Sequence, residues 1–197
     1  MYIRTGCLES QEQNHFSGGT ASPSPRERLF HRIEILQTHK TQQLQMMPFQ
    51  ADDTIHIRRI LESIGWDEHY ILAFEQAAIQ FAGKGHSAVF MAQLQNTVIG
   101  FVFVEFRDWN RLAQIQGLAV DSAFHRHGAA SALVSQAEDF ARTCGARGIY
   151  VDTPTTNEGG RRFYEAIGYQ VGYVMSRYYE EELDGITYQK FFDQNAA

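Results

Sequence analysis

At 197 residues, with 44% hydrophobic and 13% aromatic content, the chain can bury one sizeable core and needs no second domain. Its formal charge of −6 divides into 5 basic and 4 acidic side chains over residues 1–45 and 12 basic and 19 acidic over residues 46–197. That balance argues against sequence-independent nucleic-acid binding and favours a cationic partner such as an amine. Cys7 and Cys144 suggest neither a disulfide framework nor a cysteine metal site. With no apolar run long enough for a bilayer and polar residues where a signal peptide needs an apolar core, the expectation is a cytoplasmic protein without a membrane contact.

Residues 1–25 are rich in Ser, Gly, Pro and Gln and read as a mobile extension, whereas Leu29, Phe30, Ile33 and Leu36 fit the stripe of an accessory helix. The expected division is an N-terminal extension over 1–45 and a working domain over 46–197. Ile57, Ile60, Leu61 and Ile64 have helical spacing and stop before Gly65. Asp67 stands where it would cap a second helix carrying Ile71, Phe74, Ala78 and Phe81. Strands follow over 88–94, 97–106 and 112–120, the first two joined by a Gln95-Asn96 turn. The strand over 97–106 is apolar on both faces, which predicts a central, covered position. Beyond a long helix come a strand over 148–153, a short helix over 157–167 and strands over 169–179 and 186–192.

The densest chemistry lies between Leu118 and Tyr169. Leu118-Ala119-Val120 ends an apolar strand, and His125-Arg126-His127-Gly128-Ala129-Ala130 opens a helix whose first amides have no intrahelical acceptor. A diphosphate can be held by such amides if the side chains are small, and Gly128, Ala129 and Ala130 meet that condition while Arg126 adds charge. The helix carries Leu133, Ala137, Phe140 and Ala141 on one stripe and ends at Cys144-Gly145, which pins the anion site to rigid structure.

This region resembles the GNAT superfamily of acetyl-CoA-dependent N-acetyltransferases. The family's turn pattern, Gln/Arg-x-x-Gly-x-Gly/Ala, is met by His125, Gly128 and Ala130, with histidine departing from the first position. A second family signature is met by Asn157, Gly160, Phe163, Tyr164, Gly168 and Tyr169. The resemblance implies an α/β GNAT fold: a mixed, mostly antiparallel sheet splayed at strands four and five, with helices on both faces. It also implies an acetyltransferase with acetyl-CoA as co-substrate, an amine-bearing small molecule or peptide as acceptor, and pairing as a homodimer. Leu118, Ala119 and Val120 would pair with the peptide-like arm of the cofactor, residues 125–130 would hold its diphosphate, and Asn157 and Phe163 would contact it from the other side. Tyr164 would act as general acid toward the departing thiolate.

Many relatives carry a glutamate on the fourth strand as base, whereas this chain has Gln114 and Gln116, which cannot take up a proton near neutral pH. Glu105, predicted to share a strand face with Ile99, Phe101 and Phe103, is the candidate base, beside a water relay. His125 and His127 lack a third ligand, so no metal is expected, and Glu180-Glu181-Glu182 reads as a solvated hairpin. A non-catalytic acyl-CoA-binding or regulatory module built on the same cleft is the alternative reading. A phosphate-loop nucleotide hydrolase is disfavoured because His127-Gly128-Ala129 lacks a Gly-Lys-Ser/Thr ending.

Overall fold

The computed structural model describes residues 44–192; the extension expected over 1–45 lies, up to position 43, outside the described residues. Seven strands form one sheet: β1 (Gln45–Pro48), β2 (Ser87–Leu94), β3 (Thr97–Arg107), β4 (Leu112–Val120), β5 (Gly148–Pro154), β6 (Gln170–Glu180) and β7 (Leu183–Phe191). Their order is β1-β2-β3-β4-β5-β7-β6. Among the described residues only the β4–β5 pair is parallel. Its crossover is the helix α3 (Ala129–Thr143), as a parallel connection requires.

Two cores flank the sheet. On one side α1 (Thr54–Ser63) and α2 (Glu68–Phe81) bury Ile57, Ile60, Leu61, Ile71 and Ala78 against Phe101 and Phe103 of β3. On the other, α3 buries Leu133, Val134, Ala137 and Ala141 against Val102, Val104 and Ile115. Apolar residues on both faces of β3 follow from this double cover, since β3 lies between β2 and β4 and is buried over nearly its whole length. The helix pair is locked by Arg58, which forks onto Glu75 at 2.9 and 2.8 Å and reaches Glu68 at 2.9 Å. Arg59 joins α1 to the end of β4 by donating to Asp121.

Several local expectations are altered. Asp67 occupies the N-cap of α2, but its carboxylate makes no cap hydrogen bond; its carbonyl accepts from Ile71 N–H at 3.1 Å instead. Ile99 does not share the face of Phe101 and Phe103. Gly100 pairs with Ala92 and Val98 with Gln93, so Ile99 is an extra residue in a bulge, and the bulge turns it into the opposite core. No strand was expected over residues 45–48, yet these form β1, which pairs with β2 through Gln45↔Gln93 and Pro48↔Phe90.

A second bulge positions the site. Gly117 pairs with Phe103 and Ile115 with Val104, leaving Gln116 as the extra residue of β4. Parallel pairing with β5 covers only Leu112↔Gly148 to Ile115↔Val151. Past that point β4 continues along β3 and β5 along β7, and the two strands part. The splayed sheet expected from the motifs is therefore present, with the bulge as its physical cause.

Candidate active site

The gap between β4 and β5 opens into a cavity of about 540 Å³. Residues 115–118 form one lip and residues 151–154 the other; Tyr164 of α4 (Glu158–Ala166) borders it, and Trp66, Tyr70 and Phe74 cover it from the α1–α2 side. Tyr179, Glu180 and Leu183 close it from the β6–β7 hairpin. Gly117 is needed here because a Cβ would lie 2.3 Å from Cε1 of Phe74, so the ring rests directly on the strand backbone. Phe74 is in turn held edge-on by Trp66 at 5.0 Å and tilted against Phe103 at 5.4 Å.

Tyr164 is only 1% exposed yet borders the cavity. It packs on Tyr188 at 5.8 Å and Phe163 at 5.2 Å. Desolvation pushes its phenol well above the ordinary tyrosine range, so it stays protonated and able to donate. Tyr179 is also raised, by desolvation first and then by the charge of Asp152.

Asp152, which sequence reasoning passed over, is the carboxylate set on the lip of the gap. Its Oδ2 accepts from Nε2 of Gln114 at 3.0 Å, and Oδ1 accepts from the Thr187 hydroxyl. Gln114 Oε1 in turn accepts from Tyr150 at 2.9 Å and from Gln116 Nε2 at 2.9 Å. Gln116 Nε2 also reaches Oε2 of Glu105 at 3.1 Å. The two glutamines thus span two carboxylates, and only one of those carboxylates borders the cavity. Glu105 does not: it is held by Arg107 at 2.9 Å, two residues along the same strand face. An acidic residue inside an otherwise apolar central strand was the signal available for Asp152, because burial there demands a reason.

The other candidate residues fall at two places. Leu118, Ala119 and Val120 are buried, with Leu118 also bordering the cavity. Gly128 is the N-cap of α3 at φ 79°, a left-handed conformation suited to glycine, with no atom within 4 Å of where a Cβ would be. The first helical bond runs from Ala132 N–H to the Gly128 carbonyl at 3.0 Å, so the amides of residues 128–131 precede it. Ala129 is buried, Ala130 half-buried, and Arg126 and His127 exposed. His125 turns inward. Its Nε2 donates to the Val120 carbonyl at 2.9 Å and its backbone N–H to Ser122 at 3.4 Å, while its own carbonyl accepts from His127 Nδ1 at 2.9 Å. Asn157 is buried and caps α4: Oδ1 accepts from Gly160 N–H at 3.0 Å and Nδ2 donates to Thr153 at 2.8 Å. Phe163 is half-buried beside Tyr164.

Among the described residues no cluster of three or more His, Cys, Asp or Glu is arranged to hold a metal ion, and no helix is long and apolar enough to cross a membrane.

Residues 51–169 match the model of the acetyltransferase (GNAT) family. No curated protein matches the chain. Among solved structures, an acetyltransferase of that family from Desulfovibrio desulfuricans superposes with a TM-score of 0.69 over 76% of this chain and 99% of its own, at 18% identity. The ribosomal-protein-S18-alanine N-acetyltransferase of Escherichia coli gives 0.62 over 75% and 92%, at 16% identity. A protein from Bacillus anthracis described as a streptothricin acetyltransferase, in complex with acetyl coenzyme A, gives 0.56 over 59% and 69%, at 26% identity. The first two likenesses concern the fold alone.

Proposed function

The chain belongs to the acetyltransferase (GNAT) family, and on that footing we propose that it moves acetyl from acetyl-CoA to a primary amine by direct attack, with Asp152 as base and Tyr164 as general acid. The observation that carries this reading is that Asp152 and Tyr164 reach one cavity, in the gap where β4 and β5 separate.

The residues fit the co-substrate. Open space at Gly128 and the amides that precede the first turn of α3 suit a diphosphate, and exposed Arg126 adds charge beside them. Beyond Ile115 the edge of β4 that faces away from β3 has no strand partner among the described residues, which suits a peptide-like arm. Acetyl-CoA supplies the thioester carbonyl that the amine attacks. Leu118, Ala119 and Val120 would hold its arm, and a backbone N–H near Leu118 would donate to the developing oxyanion. His125 and Asn157 act by positioning in this reading: the first ties the loop to the end of β4, and the second fixes the helix that carries Tyr164.

Asp152 keeps lone pairs beyond the two hydrogen bonds it accepts, and so can take the proton of an incoming ammonium. Gln114 and Thr187 orient it. Tyr164, kept protonated by burial, can give its proton to the leaving thiolate. Neither cysteine is required, so no acyl-enzyme is invoked. A panel of small amines and peptide N-termini, assayed for coenzyme A release, tests the reading: release with at least one amine class is expected, and acetyl-CoA binding without release from any of them would overturn it.

A further inference from the structure

We propose that the acceptor is a small amine bearing a second positive charge, of the diamine or oligoamine class, with its reacting nitrogen beside Asp152 and its far cation at the mouth between Asp67 and Glu180. The inference rests on the reading of this cavity as the acceptor site.

Among the described residues three carboxylates border the cavity, Asp67, Asp152 and Glu180, and no lysine, arginine or histidine does. A monoamine accounts for one of them. Asp152 is half-buried on the β5 lip, whereas Asp67 and Glu180 are exposed and come from the two elements that close the cavity, the α1–α2 loop and the β6–β7 hairpin. Asp67 sits at a helix N-cap without using its carboxylate there, so that charge is not engaged by the helix amides. Trp66 and Tyr70 stand beside it, 5.8 Å apart and edge to face, and offer aromatic surface to a cation. At the inner end, Tyr164 is 1% exposed and borders the cavity beside Asp152. Asp152 and the Tyr164 phenol at one end and two further carboxylates at the other describe a site for a molecule that reacts at one end and is cationic at both. A neutral or acidic tail would leave the mouth carboxylates unmatched.

The test follows coenzyme A release with a series of α,ω-diaminoalkanes, each paired with the monoamine and the amino alcohol of the same chain length, and with a peptide of neutral side chains. The best diamine should exceed its matched monoamine and amino alcohol by roughly tenfold in kcat/KM, after correction for its two equivalent ends, as two partly exposed ion pairs allow. In the Asp67→Asn/Glu180→Gln double variant that ratio should collapse toward unity, and added salt should narrow it in the natural protein. Asp67 makes no cap hydrogen bond and both side chains are exposed; Glu180→Gln alone, expected to lower the ratio by about threefold, is the second arm. Equal kcat/KM for diamine and monoamine, a preference that survives both substitutions, or a neutral peptide as the best acceptor would each overturn the inference while leaving amine acetylation intact. Acetyl-CoA binding without release from any acceptor would remove the underlying reading as well.

Discussion

Replacing Asp152 with asparagine separates its chemical role from its structural one. The amide has the shape of the carboxylate, but it has no proton affinity near neutral pH, and with one acceptor oxygen it keeps the Gln114 bond only if its Nδ2 donates to the Thr187 hydroxyl, both now without the help of a charge. Losing charge assistance in those bonds should cost about 1 kcal/mol, a fall of roughly 2–4 °C in Tm for a domain of this size. The kinetic effect should be far larger, because positioned general bases contribute about 10²–10⁴-fold. We expect kcat/KM at pH 7 to fall about hundredfold. The pH profile gives the sharper reading. Without a base the enzyme depends on amine already neutral in solution, whose share rises about tenfold per pH unit below the amine's own pKa. The variant's log kcat/KM should therefore climb with a slope near one, closing on the natural protein as the amine deprotonates. Initial rates of coenzyme A release from pH 6 to pH 10, with Tm measured alongside, supply both numbers. Rates within about threefold of the natural protein at pH 7 would refute the assignment and return the proton to a water relay.

Other substitutions probe the supporting structure. In Gly128→Val a β-branched residue must adopt φ near 79°, which should cost about 1–2 kcal/mol and raise the Kd for coenzyme A at least tenfold by calorimetry; unchanged affinity would detach the α3 amides from cofactor binding. Gly160→Ala places a Cβ 2.3 Å from Nδ2 of Asn157, so the α4 cap must break, and thermal melting should show a loss of about 1–2 kcal/mol; an unaltered Tm would contradict the capping role. Alkaline stability follows from Tyr164, Tyr169 and Tyr179, each raised chiefly by burial. Below the ordinary tyrosine value of about 10 the folded and unfolded chains both hold these protons, and the stability is fully present. Above it the unfolded chain ionises first, so stability must decline from about pH 10 upward; a Tm that rises or stays flat between about pH 9 and pH 11 would be inconsistent with neutral buried phenols.

Long periodic segments were legible from the sequence. The apolar spacing of α1 and α2, the two-sided β3 and the Gly128 entrance to α3 all stand where their patterns put them, and the pair of motifs at 125–130 and 157–169 carried the fold class. Pairing geometry was less legible. A bulge at Ile99 reverses one side chain that strict alternation assigned to the other face, and no local pattern announces it. Four residues of β1, with no strong alternation, owe their strand to β2 alone. The carboxylate that borders the cavity was missed for the same reason. Glu105 looked free in one dimension, but in the sheet Arg107 and Gln116 occupy it, while Asp152 becomes a neighbour of Gln114 only through the short parallel pairing of β4 with β5. Asn157 matched a family position, and within the protein its amide also caps α4 and donates to Thr153.

The central claim, that the thioester is delivered beside a buried phenol in the β4–β5 gap, is tested most directly by Tyr164→Phe, with acetyl-CoA affinity and turnover measured on one preparation. Calorimetric Kd within about twofold of the natural protein, together with kcat for coenzyme A release reduced by about 10²-fold, is the predicted result. Undiminished kcat, or affinity lost in step with turnover, would contradict it.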